Sequence, residues 1–238
     1  MIQVRPLTEL AEFREAVRIQ RIIWGFEDLE LLPVRLFVVA EKVGGLVQGA
    51  FEGDDLIGFC LAIPGIRDGT IYLHSHMLGV LKEYRDAGAG RLLKFAQREA
   101  ALARGIDLIE WTFDPLDIKN AYFNIERLGV IVRRFVPNQY GITTSPLQAG
   151  LPTDRCIAEW HLRRHREAAP VLASRVVASI SVPAEIAAIK QTNLPRAREI
   201  QQRVAAEFLE HFSHNLAVTG FERSPAAGAY LLSPWPSN

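Results

Sequence analysis

Cysteine is nearly absent: Cys60 and Cys156 are the only two in 238 residues, too few and too far apart for a disulfide framework or a CxxC metal knuckle. No metal is expected, and both thiols are expected reduced in a cytoplasmic setting. Long hydrophobic runs are missing as well. A run such as Leu36 to Ala40 falls far short of the roughly 20 apolar residues of a membrane-spanning helix. The opening Met1-Ile-Gln-Val-Arg-Pro6 lacks an apolar core of the secretory-signal type. Charge of one sign is lacking too, with 27 basic against 27 acidic residues. Polyphosphate or an anionic lipid surface would therefore need a local basic patch, so neither nucleic acid nor membrane is expected as a partner. No repeat of fixed period is present.

What the chain does have is a globular composition, 49% hydrophobic and 23% charged, enough for one large domain or two small ones. Thr8 is the expected N-cap of a surface helix over residues 8–24, in which Leu10, Phe13, Val17 and Trp24 recur at helical intervals. From Gly45 the pattern reads as two strands joined by the Glu52-Gly53-Asp54-Asp55 turn, a hairpin. Thr70 to Val80 is a further strand. Gly88 to Arg104 places Leu92, Leu93, Phe95, Ala96 and Ala100 on a helix ending at Gly105. Residues 108–113 form the next strand, and 116–128 the next helix, ending at Gly129. Residues 130–135 and 156–162 add two strands. After His165 the composition turns Ala- and Arg-rich. A short strand at 176–182, a helix from Pro195 with Ile200, Val204, Phe208 and Phe212 every fourth residue, and two short strands follow. The domain expectation is therefore 1–165 and an appended α+β unit at 166–238.

One loop carries chemistry. Arg85-Asp86-Ala87-Gly88-Ala89-Gly90 lies between a strand and a helix, where backbone N–H groups and the positive helix end converge on an anion. Gly88 and Gly90, without Cβ, let a diphosphate approach the main chain. The dinucleotide fingerprint GxGxxG fails, because Leu93 stands in place of the third glycine. The phosphate loop of NTPases fails for want of a following Lys-Ser/Thr.

The stretch HMLGVLKEYRDAGAG, residues 76–90, instead resembles the acyl-CoA motif of the GNAT superfamily of N-acyltransferases, with Arg85, Gly88 and Gly90 in register. Residues 107–129, DLIEWTFDPLDIKNAYFNIERLG, resemble the second motif of that family. The resemblance implies an α/β (α+β) fold: a splayed, mixed, largely antiparallel sheet flanked by helices. It also implies acetyl-CoA or another acyl-CoA as co-substrate. The amides of Ala87, Gly88, Ala89 and Gly90, with Arg91, would hold the pyrophosphate. The main chain of Leu78 and Val80 would pair with the pantetheine arm, an amide near Gly79 would receive the thioester oxygen, and Asn120 would touch the arm. Two departures stand out. Asp86 and Ala87 occupy positions where Gly and Arg are frequent, and Ile125 occupies that of the Tyr that often protonates the leaving thiolate. Tyr122, one helical turn earlier, either serves in its place or is a core aromatic, the thiolate then leaving unassisted or through water.

An amine acceptor must lose a proton to a base. Tyr72, His74, His76 and Leu78 share a strand face by the two-residue period, and either imidazole is mostly neutral at pH 7. Glu110, on the next strand, is the third candidate. Arg133 and Arg134 read either as a site for an acceptor carboxylate or as a charged strand edge. His161 and His165 read as the basic end of a strand, and Trp24, Trp111 and Trp160 as core. The expected function is transfer of an acyl group, acetyl first and succinyl second, to a primary amine of a small molecule such as an amino acid. The alternatives are a non-catalytic acyl-CoA-binding module and a protein N-acetyltransferase, and residues 166–238 read as a lid over the acceptor site, the surface of a homodimer or cover for a sheet edge.

Overall fold

The computed structural model describes residues 1–163 and 175–235. These fall into two compact units, residues 1–110 with 144–147, and the described residues of 111–143 and 148–235. The expected boundary at 165/166, and His165 itself, lie outside the described residues.

In the first unit five strands run in the order β1-β2-β3-β4-β5: Ile2–Pro6, Leu46–Glu52, Asp55–Arg67, Thr70–Val80 and the start of Leu108–Phe113. Neighbours are antiparallel except β4 and β5, which are parallel. The β2–β3 hairpin turns at Gly53 (φ +60°) as its Gly-Asp sequence demands. A second tight turn, Asp68-Gly69 with φ of 51° and 75°, extends β3 to Arg67 and makes β3–β4 a hairpin as well.

Helices α1 (Leu10–Trp24) and α2 (Val34–Lys42) cover one face, where Phe13, Ala16, Ile19, Phe37 and Ala40 pack on Val47, Phe59 and Leu61. Helix α3 (Ala89–Ala103) covers the other, setting Ala89 and Leu93 on Ala50, Ile57, Cys60 and Val80. Each large apolar side chain so buried contributes about 1.5–3 kcal/mol. The cap of α1 is Glu9 rather than Thr8, because Glu12 accepts from the Glu9 amide (3.2 Å) and also from the Thr8 amide (2.9 Å) in a capping box.

The second unit takes the end of β5, then α4 (Ile118–Tyr122), β6 (Ile131–Val136), β7 (Arg155–His161), β8 (Ala178–Pro183), α5 (Ile186–Thr192), α6 (Leu194–Ser213), β9 (Leu216–Arg223) and β10 (Ala227–Pro234). Its strands run β5-β7-β6-β9-β10-β8. The C-terminal strands thus continue the sheet through Val132 opposite Val218. Ile200, Val204 and Phe208 of α6 are buried as their spacing requires, and Phe208 meets Tyr230 edge-on at 5.0 Å. The single helix expected over 116–128 is a short α4 followed by a π turn at Phe123–Arg127. Strands β1 and β10's partner β8 flank the sheets, and β6 is interior. Arg133 and Arg134 are therefore not on a strand edge: a bulge between Val132 and Arg134 lets both guanidiniums reach the buried Glu159.

Candidate active site

β4 is held along its whole length by β3, from Arg67–Thr70 to Gly58–Val80, but by β5 only at Leu73 and His74. Among the described residues, β3 is its sole ladder partner from Ser75 onward. The β4–β5 ladder ends at His74 and Glu110.

His76 is also the extra residue of a bulge. Cys60 lies opposite Leu78 and Ala62 opposite Ser75, so Ser75 and Leu78 share a face although three positions apart. The strict alternation expected for Tyr72, His74, His76 and Leu78 is broken there. Leu78 turns to the α3 side, packing in the cluster of Val80, Ala89 and Leu93, while His74 lies on the opposite face. The two imidazoles stay together, ring centres 6.0 Å apart. Burial lowers the pKa of both. For His74 the neighbouring His76 and Lys94 add to the lowering, and the charge of Glu110 opposes it. Both rings are neutral proton acceptors at pH 7.

Glu110 stands opposite His74 in the β4–β5 ladder and is 3% exposed. Arg67 grips both its oxygens, Nη1 to Oε2 at 3.0 Å and Nη2 to Oε1 at 2.5 Å, and lies over the Tyr72 ring at 5.0 Å. The carboxylate is thus half of a bidentate ion pair.

After Val80 the chain makes a 3-10 turn, Lys82–Ala87, into α3. Arg85 donates through Nε to the Val80 carbonyl (3.3 Å), tying the turn to the strand end. Gly88, the N-cap, has φ +85° with open space where a Cβ would stand. A Cβ on Gly90 would touch only Leu78 and Val80, at 3.7 and 3.9 Å. The N-cap of α3 is Gly88, which has no side chain with which to cap the first turn. Ala87 is exposed, Ala89 buried, and Arg91 stacks on Phe95 of its own helix at 4.7 Å. A turn of this kind could hold a diphosphate: Gly88 supplies the positive φ and open space over the main chain at the start of a helix.

Gly79 is shielded on the α1 side. A Cβ there would lie 2.6 Å from Trp24 Cη2 and 2.7 Å from Ile23 Cδ1, so only glycine admits the indole so close. Trp24 is half-buried, and neither it nor Arg67 was singled out as a site residue by the sequence.

In the second unit Asp117 caps α4, accepting from the Asn120 amide at 3.1 Å, and burial raises its pKa. The Asn120 side-chain oxygen accepts from Asn124, whose own oxygen accepts from the Trp111 indole, both at 3.3 Å. Tyr122 is half-buried, its ring contacted by Arg127 (5.5 Å) and Arg223 (5.3 Å). Ile125 is core, 4% exposed. Among the described residues no group of three or more His, Cys, Asp and Glu could hold a metal, and no helix is long and apolar enough to cross a membrane.

No family model and no curated protein matches the sequence. Solved structures do match. An acetyltransferase of the GNAT family from Desulfovibrio desulfuricans superposes with a TM-score of 0.55 at 16% identity, over 68% of this chain and 99% of that one. An Escherichia coli ribosomal-protein alanine N-acetyltransferase gives 0.55 at 16%, over 68% and 94%. An Arabidopsis thaliana protein bound to the bisubstrate analogue CoA-Ac-MVNAL gives 0.52 at 13%, over 66% and 97%. The mixed sheet with its flanking helices is the fold of the GNAT acetyltransferases.

Proposed function

We propose that this chain is an acyl-CoA-dependent N-acyltransferase acting on a primary amine of a small molecule such as an amino acid. The observation that carries the reading is the release of β4 from β5 after His74, directly upstream of the open Gly88–Gly90 cradle. In this reading the α3 end and the Ala87 to Gly90 amides, with Arg91, take the diphosphate. The freed edge of Leu78 to Val80 takes the pantetheine arm, and an amide near Gly79 takes the thioester oxygen as charge grows on it. The amine nitrogen attacks the thioester carbon, a C–N bond forms, the C–S bond breaks, and the thiolate leaves. His74 or His76 removes the ammonium proton beforehand, and Glu110 steadies the resulting imidazolium. By the resemblance Asn120 is assigned the arm contact, and Tyr122 the proton for the thiolate, which it recovers from the nitrogen as the C–N bond forms.

A small acceptor is supported by how the α1–α2 segment is fastened. The Thr144 amide donates to Glu30 at 3.2 and 3.1 Å, its hydroxyl bonds the same carboxylate, and the Ser145 hydroxyl donates to the Trp24 carbonyl at 2.8 Å. These bonds hold in place the indole that covers Gly79. A cytoplasmic setting belongs to the same reading, with Cys60 and Cys156 as buried free thiols.

The test is thiol release from acetyl-CoA or succinyl-CoA with a panel of amino acids, polyamines and short peptides. Turnover with amino acids or polyamines, lowered about 100-fold by H74A or H76A, supports the proposal. Turnover with peptides alone shifts it to protein N-acetylation. Thermal stabilisation by coenzyme A with no turnover makes the chain a binding module.

A further inference from the structure

Helix α1 ends on Trp24, whose main chain and ring are both fastened. Gly25, at φ +64°, closes the helix by donating to the Arg21 carbonyl at 2.9 Å and faces Pro146. The Ser145 hydroxyl donates to the Trp24 carbonyl. The indole stacks on Phe26 at 6.0 Å and meets Phe59 edge-on at 6.2 Å. Phe59 is the residue opposite Gly79 in the β3–β4 ladder, so indole and Phe59 ring lie on the same side of β4 as the missing Gly79 side chain. Ile23, Met77 and Leu81 belong to the same apolar cluster.

We infer that Trp24 sets acyl-group specificity, its indole edge forming the end wall of a short apolar pocket at Gly79 that admits acetyl and excludes longer or carboxylate-bearing acyl groups. The inference rests on the reading above, in which the thioester oxygen is held near Gly79, because the acyl carbons attached to that carbonyl then abut the indole. A wall of indole and phenyl rings gives a succinyl carboxylate no partner, and a desolvated unpaired charge is strongly disfavoured. Each methylene that meets a fixed wall costs a factor of about 10–200 in kcat/KM.

The experiment is the order of kcat/KM across acetyl-, propionyl-, butyryl- and succinyl-CoA with the amine that gives turnover. The wild type is expected to favour acetyl over butyryl, two methylenes longer, by at least about 100-fold. Trp24→Ala is expected to narrow that ratio at least tenfold by gaining on butyryl, with Trp24→Phe and Trp24→Leu intermediate. The smaller changes carry the test should Trp24→Ala fail to fold. An unchanged order in folded variants, or a wild type that uses butyryl or succinyl as readily as acetyl, overturns the inference while the proposed activity stands. No turnover with any thioester defeats both.

Discussion

The Lys94 amine, 4% exposed beneath α3, donates to the Ser75 hydroxyl on β4 at 2.9 Å and to Gln97 Oε1 at 3.3 Å. Burial drives its pKa from 10.5 down to about 7, against the opposing influence of Cys60. In the unfolded chain this lysine stays protonated up to pH 10.5, whereas the folded state releases the proton near 7, so unfolding takes up a proton between those values. Stability conferred at this site therefore rises with pH across that window, by about 1 kcal/mol per unit, and is lowest below pH 7. Lys94→Met is expected to flatten this slope, seen as a difference between the two proteins in denaturant unfolding at pH 7 and pH 9.

The glycines of the cradle separate folding from binding. At Gly88 any side chain meets a φ of +85°, so Gly88→Ala is expected to cost about 1–2 kcal/mol of stability and to weaken coenzyme A binding. At Gly90 a methyl finds ordinary contacts with Leu78 and Val80, so Gly90→Ala is expected to leave the melting temperature unchanged. Under the proposed function it still crowds the diphosphate, and calorimetry should record at least a tenfold loss of affinity. Equal effects of the two changes on stability would contradict the geometry.

Much of this was legible. Alternation gave β4 its observed ends, Thr70 and Val80, and Gly53 marked the first hairpin. Apolar spacing and Gly88 marked α3. Helix α2 was missed because Leu36 to Ala40 is an unbroken apolar run in which the 3.6-residue period is hidden. The bulge at His76 adds one residue without a sequence signature, and it reverses the face of everything after it. Arg67 and Glu110, 43 positions apart, meet only because β3, β4 and β5 are neighbours, a relation no local pattern encodes. A Lys at a core position of α3 was a signal available in the sequence, beside Leu93 and Gln97 on the buried stripe.

The histidine pair predicts the acid limb of activity. Both pKa values lie below 6.5 because burial disfavours the charged ring, so the neutral base persists to lower pH than a free imidazole would allow. Under the proposed function kcat/KM should hold steady from pH 8 to 6.5 and fall only below that. Removing the Glu110 charge, as in Glu110→Gln, takes away a raising influence on His74 and should move the limb to still lower pH. A limb at or above 6.5 in the wild type would rule out both imidazoles as the base.

Glu159 provides the acid-stability counterpart in the second unit. Burial alone would raise its pKa, but the His161 contact and the hydrogen bonds and charges of Arg133 and Arg134 outweigh it and hold the carboxyl at about 2. Arg133 approaches at 2.6 and 3.0 Å and Arg134 at 3.2 Å. A depressed carboxylate stabilises the fold above its unfolded pKa, 4.5, and the contribution is lost as pH falls from there through 2. The full difference is on the order of 3 kcal/mol. Glu159→Gln is expected to lower stability at pH 7, because it leaves two guanidiniums facing a neutral amide, and to erase most of the decline between pH 4.5 and 2.5. Denaturant midpoints collected across that range check both halves: a wild-type curve parallel to that of the variant would mean that the two arginines do not hold this carboxylate ionised.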